Sequence, residues 1–288
     1  MGKASARKEA RQSPEQRAAP KLRPVPTMRL TDRELLQAHE TLLRRLVDFL
    51  RSANFPRQRP SDVLVVGLAV RVLQLAHALH LLVEGGHAGE GGPIARAILS
   101  GCASLVAICD TDRDGRAYAY TLSARLPKAR VEAAAKELGM APDDAARFAA
   151  AAVEANRGNA QAFRDAGVYQ RKMGLRKDTW HGLTDRKLFS EMGMSLWYEI
   201  FYRTFSDESH VNARAIGPEL DEVLAADIGL GSKFARSFEV LTASGRCAAE
   251  VVAQLNLTFE WNRRPEILKI SESFESAVRA YRHEESSV

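Results

Sequence analysis

Apolar residues recur along most of the chain at spacings of three and four, and nowhere does a run alternate in the two-residue rhythm of a strand. Leu35, Leu36, Leu42, Leu43, Leu46, Phe49 and Leu50 predict a first amphipathic helix. Thr31-Asp32-Arg33-Glu34 reads as a capping box at its start. Pro56 and Pro60 then interrupt the chain, and Ser61 or Asp62 can cap a second helix over 63–84, the most apolar of all. A glycine-rich loop follows, and Pro93 suits the first turn of a third helix over 94–110. The glycines of that loop follow no strand and precede no P-loop Lys-Ser/Thr, so they are turn glycines.

Beyond this the pattern grows more polar and Ala-rich, with surface helices expected over 128–138, 142–156 and 160–173. Thr184 caps a short helix that stops at Gly193, and Ser195 starts another through Tyr202 and beyond. A long helix over 232–261 and a last one over 271–282 close the chain. The expectation is an all-α helical bundle with peripheral helices, formed by one domain over 30–288 behind a disordered N-terminal tail.

Charge sharpens the boundary of that tail. Eight of the 41 Lys/Arg and two of the 36 Asp/Glu fall within residues 1–29, which leaves the body with 33 against 34. The sequence pI near 9.2 therefore belongs to the tail. A neutral body argues against a grip on a long phosphate backbone through its overall field. Pro14, Pro20, Pro24 and Pro26 make the tail a poor targeting helix.

The second helix is long enough to cross a bilayer, but Arg71 and Gln74 lie at its middle and His77 and His80 follow. An Arg at the centre of a spanning helix costs at least ~2.5 kcal/mol. The expectation is instead a central helix of a soluble bundle, buried on most sides, with no membrane partner. Cys102, Cys109 and Cys247 form neither a disulfide framework nor a zinc spacing, which suggests a reducing cytoplasm.

His77, His80 and Glu84 recur at helical spacing, yet imidazoles on an apolar helix more often pack than bind metal. Asp110, Asp112 and Asp114 alternate like the start of a calcium loop, but no Gly and distal Glu complete it. No metal and no cofactor are expected.

The informative stretch runs from Trp180 to His210: Trp180, Gly182, Gly193, Tyr202, Ser206 and His210. These positions resemble the signature of the bacterial domain-of-unknown-function family five-six-seven-seven, over roughly residues 60–216. Arg96, opening an apolar helix, matches a further family position; Ser100 and Gly101 stand where that family carries a Glu. The resemblance lends no settled activity.

Tyr202, Ser206 and His210, spaced i, i+4, i+8, share one face of a continuous helix, and Arg203 precedes His210 by two turns. The pair Arg203 and His210 also resembles the Arg-x(4–6)-His motif of the HEPN superfamily, helical bundles that include metal-independent ribonucleases. That resemblance implies RNA as partner, a homodimer, and an enzyme of bacterial toxin or phage-defence type. His210 would move the proton, Arg203 would hold the phosphate, and Ser206 or Tyr202 would orient them. Arg96 and Trp180 would support the site. The competing expectation is a non-catalytic interaction protein in which Tyr202, Ser206 and His210 form a buried structural network.

Overall fold

The computed structural model describes residues 30–55, 59–123, 180–209 except Gly182, and 236–285, with isolated positions between 137 and 165. The basic tail 1–29, most of the helices expected over 128–173, Gly182 and His210 lie outside the described residues. Among the described residues the protein is all-α, with no strand.

Helix α1 (Leu30–Ser52) begins one residue before the expected cap, so Thr31 lies inside it. Asp32 turns inward and accepts a hydrogen bond from the Tyr281 hydroxyl at 3.1 Å. Helix α2 (Pro60–Glu84) carries Pro60 in its first turn, and the Asp62 carboxylate accepts from the Arg59 backbone N–H at 3.1 Å. A 3-10 turn (Ala88–Gly91) leads into α3 (Gly92–Asp110), which Pro93 opens as its position predicts. Asp110, at its end, and the two aspartates after it mark a helix junction: Asp112 takes φ 41°, and Asp114, at the start of α4 (Arg113–Ser123), accepts from the Ser61 hydroxyl.

Helix α5 (Asp185–Glu191) is capped by Thr184, whose hydroxyl accepts from the Lys187 N–H at 3.3 Å. Short α6 (Ser195–Trp197) runs through a π-helical turn (Tyr198–Tyr202) into α7 (Arg203–Ser209). Helices α8 (Ser237–Thr258) and α9 (Arg264–Glu285) complete the bundle. Helix α9 starts seven residues before the expected 271. Pro265 sits in its first turn, and the Asn256 side chain accepts from the Arg263 N–H at 2.8 Å just ahead of it.

The expectation that α2 is buried on most sides is corrected by the structure. Helix α2 packs against α1, α3, α4 and α8, and the more fully enclosed helix is α8, which packs against α1, α2, α3 and α9. Its small residues Ala243, Ser244, Gly245 and Ala248 are all buried and let neighbours approach on several sides. A Cβ added to Gly245 would stand 2.4 Å from the Phe274 ring of α9. Helix α2 buries Val65, Ala69, Val72, Ala76, Leu79 and Val83 but leaves Val63, Gly67, Val70, Gln74, His77 and Leu81 exposed. By length and composition α2 and the segment Ala88–Asp110 are both apolar enough to cross a membrane.

Where α1, α2 and α8 meet, three imidazoles stack. His39 is fully buried, its Nε2 3.1 Å from the Ser244 hydroxyl. Its ring lies parallel to His80 at 5.7 Å, and His80 lies parallel to His77 at 6.3 Å. Burial pushes the His39 pKa down to about 3, with His80 and His77 adding repulsion. His80 turns into the core while His77 and Glu84 stay exposed. Among the described residues no three His, Cys, Asp or Glu side chains are placed to share a metal ion.

Candidate functional site

The stretch singled out by sequence folds as a helix, a tight turn and a second helix against α3. After α5, Gly193 takes φ +69°, a left-handed conformation that glycine adopts without strain. The Met194 N–H returns to the Phe189 carbonyl at 2.7 Å and closes the turn. The chain then re-enters helix at Ser195 and widens at Tyr198–Tyr202, where a π turn shifts the register of the side chains that follow.

Tyr202 sits at the end of that widened turn and is only 5% exposed. Its ring stacks on Tyr198 at 5.4 Å and meets Phe189 at 5.0 Å. Its hydroxyl donates to the Asp185 carboxylate at 2.7 Å. Arg96 places its Cζ 5.3 Å from the centre of the same ring. Arg96 and Ser100, one turn apart on α3, also hydrogen-bond the hydroxyl. Burial, then the hydrogen bond to Asp185, raises the Tyr202 pKa, so the phenol is held neutral. The structure thus joins two residues that the sequence suggested separately, Arg96 and Tyr202. Ser100, read as a departure from the family pattern, reaches the same hydroxyl. The acidic group beside Tyr202 comes from Asp185 at the capped start of α5 rather than from α3.

Arg203 points the other way. Its side chain is 64% exposed and its Nη1 donates to the Glu199 carboxylate at 3.0 Å. Arg186 of α5 reaches the other oxygen of Glu199, also at 3.0 Å. The hydrogen bond from Arg203 holds the Glu199 carboxyl below its usual range, and Arg186 adds to this. Two guanidinium groups therefore share one carboxylate at the surface. Ser206 is half-buried, one turn beyond Tyr202. The face proposed for Tyr202, Ser206 and His210 is described only as far as Ser206.

Trp180 is half-buried, edge-on to Tyr120 at 5.3 Å and to His181 at 5.1 Å. His181 went unremarked in the sequence. Its Nδ1 accepts the Leu183 N–H at 3.1 Å, which leaves the proton of the neutral ring on Nε2. Burial lowers its pKa, and the nearby Asp185 and Glu191 carboxylates partly offset that. Sequence reasoning also missed Glu199 and Arg186. The i, i+4 spacing of Glu199 and Arg203 was a usable signal for the first; the second needed the fold.

The arrangement has two faces. A buried phenol is fixed by Asp185, Arg96 and Ser100, and the exposed Arg203, paired with Glu199, lies one residue further along the same helix. A family model described as a family of unknown function, DUF5677, matches residues 62–223, more than half of the chain. No curated protein and no solved structure matches it.

Proposed function

From the premise that the chain belongs to the DUF5677 family, we propose that it is a metal-independent endoribonuclease of the HEPN kind, acting as a bacterial toxin or phage-defence enzyme. The observation that carries this reading is the exposure of Arg203 and its sharing of Glu199 with Arg186. An exposed Arg can hold two oxygens of a phosphodiester at once. His210 is the proposed proton carrier, drawing the proton from a ribose 2′-hydroxyl that attacks the adjacent phosphorus. The 5′-oxygen leaves with a proton, and the products end in a 2′,3′-cyclic phosphate and a 5′-hydroxyl. Arg203 would offset the charge that builds on the phosphoryl oxygens. Tyr202 does not touch RNA in this scheme: with Arg96, Asp185 and Ser100 it fixes the helix that presents Arg203. Ser206 is left as an orienting group.

The test is RNA cleavage in the presence of a chelator, run beside thermal melts. His210→Ala and Arg203→Ala should each abolish cutting without moving the melting temperature, and the wild type should leave cyclic phosphate ends. Tyr202→Phe should instead lower stability by about 1 kcal/mol, because it removes one largely buried hydrogen bond, and should slow cleavage only in part. A second reading, a non-catalytic interaction protein, is favoured by the closed network around Tyr202. A wild type that cuts no RNA, with Tyr202→Phe destabilised, would turn the conclusion to that reading.

A further inference from the structure

Helix α2 carries an outward stripe that nothing among the described residues covers. Val63, Gly67, Val70, Gln74, His77 and Leu81 are all exposed. Their spacings run 4, 3, 4, 3, 4, the alternation that keeps one seam of a helix facing a partner helix. Val63 is 60% exposed, Val70 42% and Leu81 52%. None of the six is Lys, Arg, Asp or Glu, residues that ordinarily fill the outer face of a surface helix. Arg71 lies about 100° round the helix from Val70, to the side of the seam.

We propose that this stripe is a self-association surface: two copies of the chain pair their α2 helices antiparallel, about a twofold axis beside Val72. The residue types support a second copy over another partner, because the stripe is complementary to itself when reversed. In the antiparallel register Val63 faces Leu81 of the second copy, Gly67 faces His77, and Val70 faces Gln74, so every position of the seam finds a seam position opposite. Gly67 is the gap in one wall: a Cβ built there meets nothing within 4 Å. The imidazole of His77 is the bulk available to fill it. At both ends the register brings Arg59, 60% exposed and paired at 3.5 Å with Asp114 of its own chain, beside exposed Glu84 at the end of the other helix. Reversed helices also set opposite dipole ends together. An apolar groove of about 430 Å³ between α1 and α2 shares Val70, Gln74 and His77 with the stripe, with Val47, Leu50 and Phe55 as its far wall. A second α2 laid along the seam closes one side of it. Such an interface is isologous and self-limiting at two copies. It uses no residue of the candidate site; the ribonuclease reading also implies a homodimer, and the Val70→Lys and cysteine variants below test this interface whether or not the chain cuts RNA.

Sedimentation equilibrium of the full chain should find a dimer. Val70→Lys sets like charges near the twofold axis and should weaken association by at least about tenfold, with helix content unchanged. The register is tested with Val63→Cys and Leu81→Cys. On one helix these sites are about 27 Å apart, so any bond between them joins two chains. The double variant, and a mixture of the two single variants, should cross-link under mild oxidation, while Val63→Cys alone should not. A chain that stays monomeric at all concentrations overturns the proposal, as does a dimer that survives Val70→Lys. So does cross-linking of Val63→Cys alone as readily as the mixture, or a monomer that partitions into phosphatidylcholine vesicles.

Discussion

Helices α2 and α8 are similar in length and the more apolar of the two is the less buried. Helix α2 has the stronger hydropathy of a membrane-like segment, yet 39% of its most apolar window is buried. Helix α8 carries Ser237, Thr242, Ser244, Gly245 and Asn256, and all five are buried. How fully a helix is enclosed depends on how closely its neighbours can approach, and that is set by small side chains as much as by apolar ones. Surplus hydrophobicity on α2 then remains as surface, and its heptad spacing gives that surface a shape.

The sharpest way to break this comparison is to make one change in both helices. Gly245→Ala should lose about 2 kcal/mol of stability, since overpacking a dense core typically costs 1–3 kcal/mol. The added Cβ would lie 2.4 Å from Phe274 Cζ. Denaturant melts measure the loss, and Phe274→Leu in the same chain should recover part of it. If Gly245→Ala is neutral, α9 yields easily and α8 is not the tightly enclosed helix described.

The His39–Ser244 contact joins the two helices and supplies a pH test. The folded pKa of His39 lies at about 3, below its ordinary 6.5, so the unfolded chain binds the proton first as pH falls. Its contribution is fully present above 6.5 and is lost progressively down to about 3, by about 1.4 kcal/mol per pH unit. His80, lowered mainly by burial, acts in the same direction. His39→Gln can still bond Ser244 but does not titrate, so its stability should fall less steeply between pH 6.5 and 4.5. An unchanged slope would mean that His39 is hydrated in the folded chain.

Much of the fold was legible because helix period and end signals are local. Thr184, Gly193, Pro60 and Pro93 mark helix ends where the structure has them. The rank of the helices was not legible, because it depends on contacts such as His39 with Ser244, 205 residues apart. The candidate site divides in the same way. Tyr202 and Arg203 could be named from spacing, but one residue's difference sends one inward and the other to solvent. Which went where depended on the π turn and on α3. Asp185 became part of the site only through the fold, 17 residues from its phenol partner.

The smallest expected effect sharpens the comparison most. Gly67→Ala places a methyl in open space on α2, where nothing lies within 4 Å. Alanine is favoured over glycine in a helix interior by about 0.5–1 kcal/mol, because glycine loses more backbone freedom on folding. At concentrations low enough to hold the chain monomeric, the variant should therefore be more stable by that amount, opposite in sign to Gly245→Ala. The same methyl fills the gap assigned to His77 of a second copy, so association should weaken while the monomer gains. Equilibrium melts at dilution and sedimentation at high concentration read the two effects separately. A variant that gained stability with its association unchanged would show that the exposed stripe of α2 is open space without a partner.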